Sequence, residues 1–455
     1  LQAYRELLNG MLGAACFWDG LLEAKRALQL SPNDPEILEL RQHLKDGFED
    51  RHNGLKKLGV KDLVAITRTG QIYQKLYPWL DEKLYKRTPE LVRQVNEDFG
   101  VGNCEVKSVF FGPPEIQDKE DVGPLGVFAT RDIEEGEMVM VDQCLTGISD
   151  VPSSKLAHCD ACHASLSIPF IHPADIIKPS CCGKVAFCSR ECYESASKGY
   201  HRIICGKDID WLYRGNTDEK EGRGIRWRPI QFLRLMSIVI SDLRAQRTPT
   251  HPLQHPLIAR MAANYAPASK HHPDTCCDWQ YFENVVAPHR ILQLLDVDMF
   301  TSPEFSPEVI QTIYWRMENN ASMSTVNLSL SKPDPTLLDA EKDAVHMICL
   351  NPNYLFFNHS CEPNVSWHGA IPDPWVGIEW LRGLDGEIMR PGCSAVWCSA
   401  ARDIRKGEEL KISYVGNPRG DVRGDRESKR SWLAKWFEGG CGCDICKGEN
   451  EKAKV

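Results

Sequence analysis

The stretch Asn358-His359-Ser360-Cys361-Glu362-Pro363-Asn364 is too polar for a core strand and too specific in its side chains for a plain turn. By itself it reads as a loop stitched by Asn and Ser side chains. Two companion stretches change that reading. Upstream runs Gly126-Val127-Phe128-Ala129-Thr130-Arg131-Asp132-Ile133, followed after two residues by Gly136-Glu137. Downstream runs Ala401-Arg402-Asp403-Ile404, followed by Gly407-Glu408-Glu409-Leu410 and by Ile412-Ser413-Tyr414. Short β-rich runs surround them: Val106, Val109, Phe110 and Phe111; Val127 and Phe128; Val139 and Val141; then His346–Leu350, Ala395–Ser399 and Glu409–Tyr414. Gly, Pro and Asp punctuate these runs, as they do between strands. The loop therefore belongs to a β-rich body.

The body is interrupted. Between its halves, apolar stretches from about residue 225 to 320, including Phe232-Leu233-x-Leu235-Met236 and Ile291-Leu292-x-Leu294-Leu295, read as helices. Residues 1–46 are helical too: Leu7, Leu8 and Leu12, then Leu21, Leu22 and Leu28, recur at helical spacing until Ser31-Pro32-Asn33-Asp34-Pro35 breaks the pattern. Ala24-x2-Ala27-Leu28-x-Leu30-x-Pro32 resembles the second helix and exit turn of a tetratricopeptide repeat, although an ordinary helical hairpin accounts for it equally well. Residues 61–99 are also expected to be helical, with Thr88 as an N-cap and Pro89 at the first helical position.

With 455 residues the chain has room for about three domains. Its 54 basic against 63 acidic side chains give a net charge of −9, which suits a basic partner and opposes general binding of phosphate backbones. The basic residues Lys184, Arg190, Lys198 and Arg202 are too few to make nucleic acid the expected partner. A mean hydropathy of −0.36, with no apolar run near the ~18 residues of a membrane span, argues against a membrane protein. The chain begins at Leu1 rather than Met, as a fragment would, so an N-terminal address is not readable.

Nineteen cysteines are the outlier, and they cluster. Cys159-x2-Cys162, Cys182-x5-Cys188-x3-Cys192 and His201-x3-Cys205 have the spacing that lets short loops fold thiolates and imidazole onto tetrahedral zinc. A further set, Cys441-x-Cys443-x2-Cys446, closes the chain.

The spacing of the first block is similar to the MYND finger, which interleaves two zincs. The resemblance implies Cys159, Cys162, Cys188 and Cys192 on one ion and Cys182, His201 and Cys205 on the second. The family's C-x2-C stands here as Pro179-x2-Cys182, so either Cys181 or His172 supplies the eighth ligand or the second site is incomplete. The 126, 358–364, 401–414 and 441–446 stretches, in that order, resemble SET-domain lysine methyltransferases, and the finger splitting the body resembles the SMYD-type subfamily. The resemblance covers roughly residues 104–447.

It implies an α+β fold: a β-rich SET domain split by a MYND zinc finger and a helical insert, with a helical N-terminal region and a zinc-bound post-SET tail. Expected boundaries are 1–50 helical, with the repeat-like segment; 51–103 helical linker; 104–158 first SET part; 159–205 finger; 206–330 helical insert; 331–437 second SET part; 438–455 post-SET segment. Tyr414 matches the catalytic tyrosine. Asn358 and His359 match positions that bind S-adenosylmethionine, and Gly126, Asn320 and Phe437 (or its neighbour Trp436) are implied to face that cofactor. Gly126 falls where the family's Gly-rich loop lets backbone approach it; the usual G-x-G is here Pro124-Leu125-Gly126, with Gly123 one step early. Cys361 with Cys441, Cys443 and Cys446 would hold a third zinc.

The implied activity is S-adenosylmethionine-dependent protein-lysine N-methylation of a histone tail or another Lys-rich protein, by a monomer in the nucleus or cytoplasm. The alternative is a weak or inactive SET–MYND scaffold that binds Pro-containing peptides.

Overall fold

The computed structural model describes residues 1–57, 59, 63–99, 103–109, 120–152, 158–164, 166, 171–213, 227–247, 251–262, 276–327, 344–368, 394–415, 433 and 443. Its N-terminal part is three helices, Gln2–Gly13, Phe17–Leu30 and Pro35–Lys57. The second stops at Leu30, ahead of Pro32, and Pro35 opens the third, where its missing N–H costs nothing. Asp34 caps that helix by accepting the Ile37 N–H at 3.1 Å, and it also receives Arg5 of the first helix at 2.9 Å. Leu8, Ala24, Ala27, Ile37 and Leu44 form the shared core. A Cβ at Gly20 would stand 2.7 Å from Leu44 Cδ2, so glycine sets how closely the helices approach.

The stretch 61–99 is not helical throughout. It holds a short helix Leu63–Arg68, strand β1 (Gly70–Tyr73) and a helix Pro89–Phe99. β1 pairs with β6 (Cys276–Trp279), a strand within the stretch read as helical insert, so long-range pairing overrides the local helical pattern. The Thr88 cap is as read: its hydroxyl accepts the Leu91 N–H at 3.2 Å.

The β-body consists of β2 (Cys104–Ser108), β3 (Leu125–Ala129), β4 (Met138–Gln143), β5 (Ile148–Ser149), β7 (Ser322–Asn327), β8 (Ala344–Cys349), β9 (Asn358–His359), β10 (Val365–His368), β11 (Ala395–Ala400) and β12 (Glu409–Ile412). They form three small sheets, ordered β2-β3-β12-β9, β10-β11-β4 and β5-β8-β7. Among the described residues only β9 and β12 run parallel, Asn358 opposite Lys411 and His359 opposite Ile412. Val106, Val127, Val139, Val396, Leu410 and Ile412 share the buried core with Phe356 and Phe357.

The insert packs round helix Trp227–Arg244, whose residues from Pro229 to Ile240 are all buried. A helix apolar on every face must be surrounded. Helices Ala287–Leu294 and Pro307–Asn320 cover it through Ile291, Leu292, Ile313 and Tyr314. Among the described residues no helix is long and apolar enough to cross a membrane.

Candidate functional site

The twin segments 130–137 and 401–408 clasp one another. Ile133 and Ile404 exchange backbone hydrogen bonds of 2.9 Å each. Asp132 Oδ1 accepts the Lys406 N–H at 2.7 Å, and Asp403 Oδ1 accepts the Glu135 N–H at 3.0 Å. Gly136 and Gly407 turn both segments at φ +82°, a left-handed conformation that favours glycine. Arg131 pairs with Glu137 and Arg402 with Glu408, closing each turn alike. The clasp delivers β12 beside β3.

Loop 358–364 is then fastened to β12. Asn364 Oδ1 accepts the Lys411 N–H at 2.7 Å, while its amide donates to the Glu409 carbonyl at 2.9 Å. The Ser360 N–H donates to the Ile412 carbonyl at 2.9 Å, and Ser360 Oγ bridges the Glu362 backbone. The entry to the loop is held by Asp142. Its Oδ2 accepts the N–H groups of Asn353 and Tyr354, both at 2.7 Å, and burial pushes its carboxyl up to about 6.

These supports bring Gly126, Asn358, His359 and Tyr414 together. The Asn358 amide donates to the Leu125 carbonyl at 3.1 Å and to Glu409 Oε1 at 2.9 Å. Its carbonyl oxygen has no partner among the described residues. His359 is buried, and burial lowers its imidazole to about 4, so it is neutral. Its Nδ1 accepts the Tyr414 N–H at 3.0 Å, which puts the ring proton on Nε2. The two rings lie 5.3 Å apart. The Tyr414 hydroxyl donates to the Phe357 carbonyl at 2.7 Å, and burial raises its pKa so that the phenol stays protonated.

Gly126 is needed for a reason its position alone does not disclose. A Cβ there would stand 2.8 Å from Glu409 Oε1 and Val109 Cγ1, and 3.0 Å from the Asn358 amide nitrogen. Protein atoms of the site itself exclude a side chain. Gly123 supplies a left-handed turn, φ +71°, two residues before β3.

A family profile described as the SET domain matches residues 124–415. The chain belongs to the SET domain family. Comparison with curated proteins returns no match. The SET match opens just before β3 and closes just after Tyr414, so it encloses all four gathered residues and the cysteine block between them. SET domains are as a family protein-lysine methyltransferases that use S-adenosylmethionine.

Within the SET span the cysteine block makes two clusters. One ligand atom each from Cys159, Cys162, Cys188 and Cys192 lie within 4.8 Å of one another, as do those of Cys181, Cys182, His201 and Cys205. Four thiols, and three thiols with an imidazole, are donor sets that fit zinc. Cys181 is the eighth member, with Sγ 3.2 Å from His201 Nε2. His172 instead caps a short turn, its Nδ1 accepting the Ala174 N–H at 3.2 Å. The block is keyed to the insert through Asp160, which receives the Tyr200 hydroxyl at 2.7 Å and both arms of the buried Arg234 at 3.4 Å. The guanidinium also covers the Tyr200 ring at 3.6 Å.

Asn320 ends the helix Pro307–Asn320; its amide donates to the carbonyls of Ala262 and Arg316, and among the described residues it makes no hydrogen bond to the four gathered residues. Cys361 Sγ lies 3.6 Å from His359 Nε2. Cys443 is half-buried, whereas Phe437, Cys441 and Cys446 lie outside the described residues. Sequence reasoning gave no role to Glu409, Asp142 or Arg234. The paired Glu408-Glu409 ahead of a strand was the available signal for the first; a carboxylate and a guanidinium inside apolar runs were the signal for the others.

Proposed function

We propose that the chain is an S-adenosylmethionine-dependent protein-lysine N-methyltransferase with a MYND-type zinc module, in the manner of SMYD-type proteins. The observation that carries this is the convergence of Gly126, Asn358, His359 and Tyr414, remote in sequence, on one end of the β2-β3-β12-β9 sheet.

The residues fit the cofactor. The Asn358 carbonyl oxygen, unpartnered among the described residues, is an acceptor for its ammonium group, and neutral His359 adds no repelling charge. The chemistry that S-adenosylmethionine supplies when bound is an electrophilic methyl on a sulfonium. Tyr414 keeps its proton on the Phe357 carbonyl, so it serves as an orienting group through its lone pairs rather than as a base. An incoming lysine must shed its proton, which costs about 4 kcal/mol near neutral pH. Desolvation among Tyr414 and its buried neighbours favours the neutral amine. A net charge of −9 supports a basic, Lys-rich protein substrate such as a histone tail.

Cys361, Cys441, Cys443 and Cys446 are proposed as the third zinc set, and Phe437 as a wall of the cofactor site. A methylation assay on a protein array, with cofactor titration by calorimetry in parallel, tests the reading. Cofactor binding and lysine methylation, both lost in Asn358→Ala, are expected. A folded, zinc-loaded chain that takes up no S-adenosylmethionine would leave the peptide-binding scaffold as the function.

A further inference from the structure

The cysteine block and the insert line an open groove of about 880 Å³, to which none of Gly126, Asn358, His359 and Tyr414 contributes. One wall is the helix Arg190–Ala196 with its continuation through His201 and Ile204; the other is the end of helix Trp227–Arg244. Ser241 Oγ and Arg247 both donate to the Lys198 carbonyl, at 3.0 and 3.2 Å, so the walls are fixed relative to each other. Arg190, Lys198, Arg202, Arg244 and Arg247 line it, against a single acid, Glu194. All five cations are exposed.

Their charges are unevenly spent. Arg190 pairs with Glu194 at 2.8 Å, Arg247 with Asp242 at 2.6 Å, and Arg244 donates to the Leu295 carbonyl at 2.6 Å. The side chains of Lys198 and Arg202 have no partner among the described residues. They stand four residues apart on one helical wall, a spacing that puts both on the same face. Tyr193 and Ile203 give the groove an apolar component.

The geometry points to this groove as the docking site of a short acidic peptide segment of a partner protein, carboxylates on Lys198 and Arg202 and an apolar side chain against Tyr193 and Ile203. Its size suits a few residues rather than a long polymer. A long polyanion would have to cross the rest of a chain whose net charge is −9, whereas a short acidic segment stays within the basic patch. A lysine-rich substrate is repelled here, so the groove serves a different segment from the one that is methylated.

Fluorescence anisotropy of the full zinc-loaded chain with a short labelled Glu- and Leu-containing peptide tests this. Binding is expected to weaken with added salt and to fall at least about tenfold when Gln replaces Glu in the peptide. The same loss is expected in Lys198→Glu with Arg202→Glu, and in the milder Gln pair should the charge reversal fail to fold. Lys25→Glu, on the N-terminal helices, should change nothing. Undiminished binding by the folded double variant, or no binding at all, overturns the proposal. So does a single-stranded oligonucleotide that displaces the peptide and is bound far more tightly, which would make the groove a nucleic-acid site.

Discussion

Gly126 stands where β3 comes closest to the loop carrying Asn358, and the atoms crowding it belong to Glu409, Val109 and Asn358. Gly126→Ala must push these apart, and it is expected to cost about 1–3 kcal/mol, read by thermal unfolding, together with weakened cofactor binding. Tyr414→Phe removes the hydroxyl held by the Phe357 carbonyl. A stability loss of about 1 kcal/mol is expected, with turnover down by about a hundredfold from lost alignment and cofactor affinity unchanged; single-turnover assays and calorimetry separate the two effects. Asp142 gives the pH dependence its sign. Burial lifts its carboxyl from the ordinary 3.8 to about 6, so between these values the folded chain holds a proton that the unfolded chain has released. Its contribution is therefore complete below about pH 4 and is lost as the pH rises through about 6, a span worth about 3 kcal/mol. Asp142→Asn should flatten that slope in unfolding curves taken across the window; an unchanged slope would discount the buried carboxyl.

The strands owe their placement to a pair of turns that is repeated in the chain and mutual in space. The repetition of Arg-Asp-Ile-x2-Gly-Glu was visible as text at 131–137 and 402–408. That each Asp caps the other segment's turn was not, because a 271-residue separation carries no local signal. Asn364 acts similarly, replacing with side-chain bonds the ladder that so short a parallel pair as β9 and β12 cannot supply alone. In the helix Trp227–Arg244, Arg234 lies inside an apolar run and is tolerated there because Asp160 and the Tyr200 ring receive it. Arg234→Ala strands the buried Asp160 carboxylate, and a loss of about 3 kcal/mol or more is expected. The measurable signature is an earlier thermal transition of the cysteine block, with helix content otherwise retained.

Across the molecule, separate hydrophobic cores serve the N-terminal helices, the SET sheets, the cysteine block and the helical insert. Metal content tests how they are stapled: about three zincs per chain are expected, falling by about one in Cys181→Ser and not at all in His172→Ala, by elemental analysis. The tight spacing of Cys159, Cys162, Cys188 and Cys192 made that cluster readable in advance, since loops of two to three residues can close only locally. The choice between Cys181 and His172 was not readable, because both are near enough in sequence and only the path of the helix bearing His201 decides which one faces it. The helical reading of 61–99 failed between its two helices for a similar reason: β1 exists because β6, some two hundred residues on, lies beside it. By itself the sequence determined what repeats over a few residues, namely the helical faces, the strand runs, the cap at Thr88, and the metal-spaced cysteines. Tertiary structure alone decided the meetings: Gly126 against Glu409, Asn358 beside Leu125, Tyr414 on His359 and Phe357. Such contacts come from burying distant apolar surfaces in common cores, and burial energy is non-directional, leaving no trace in the spacing of any one segment.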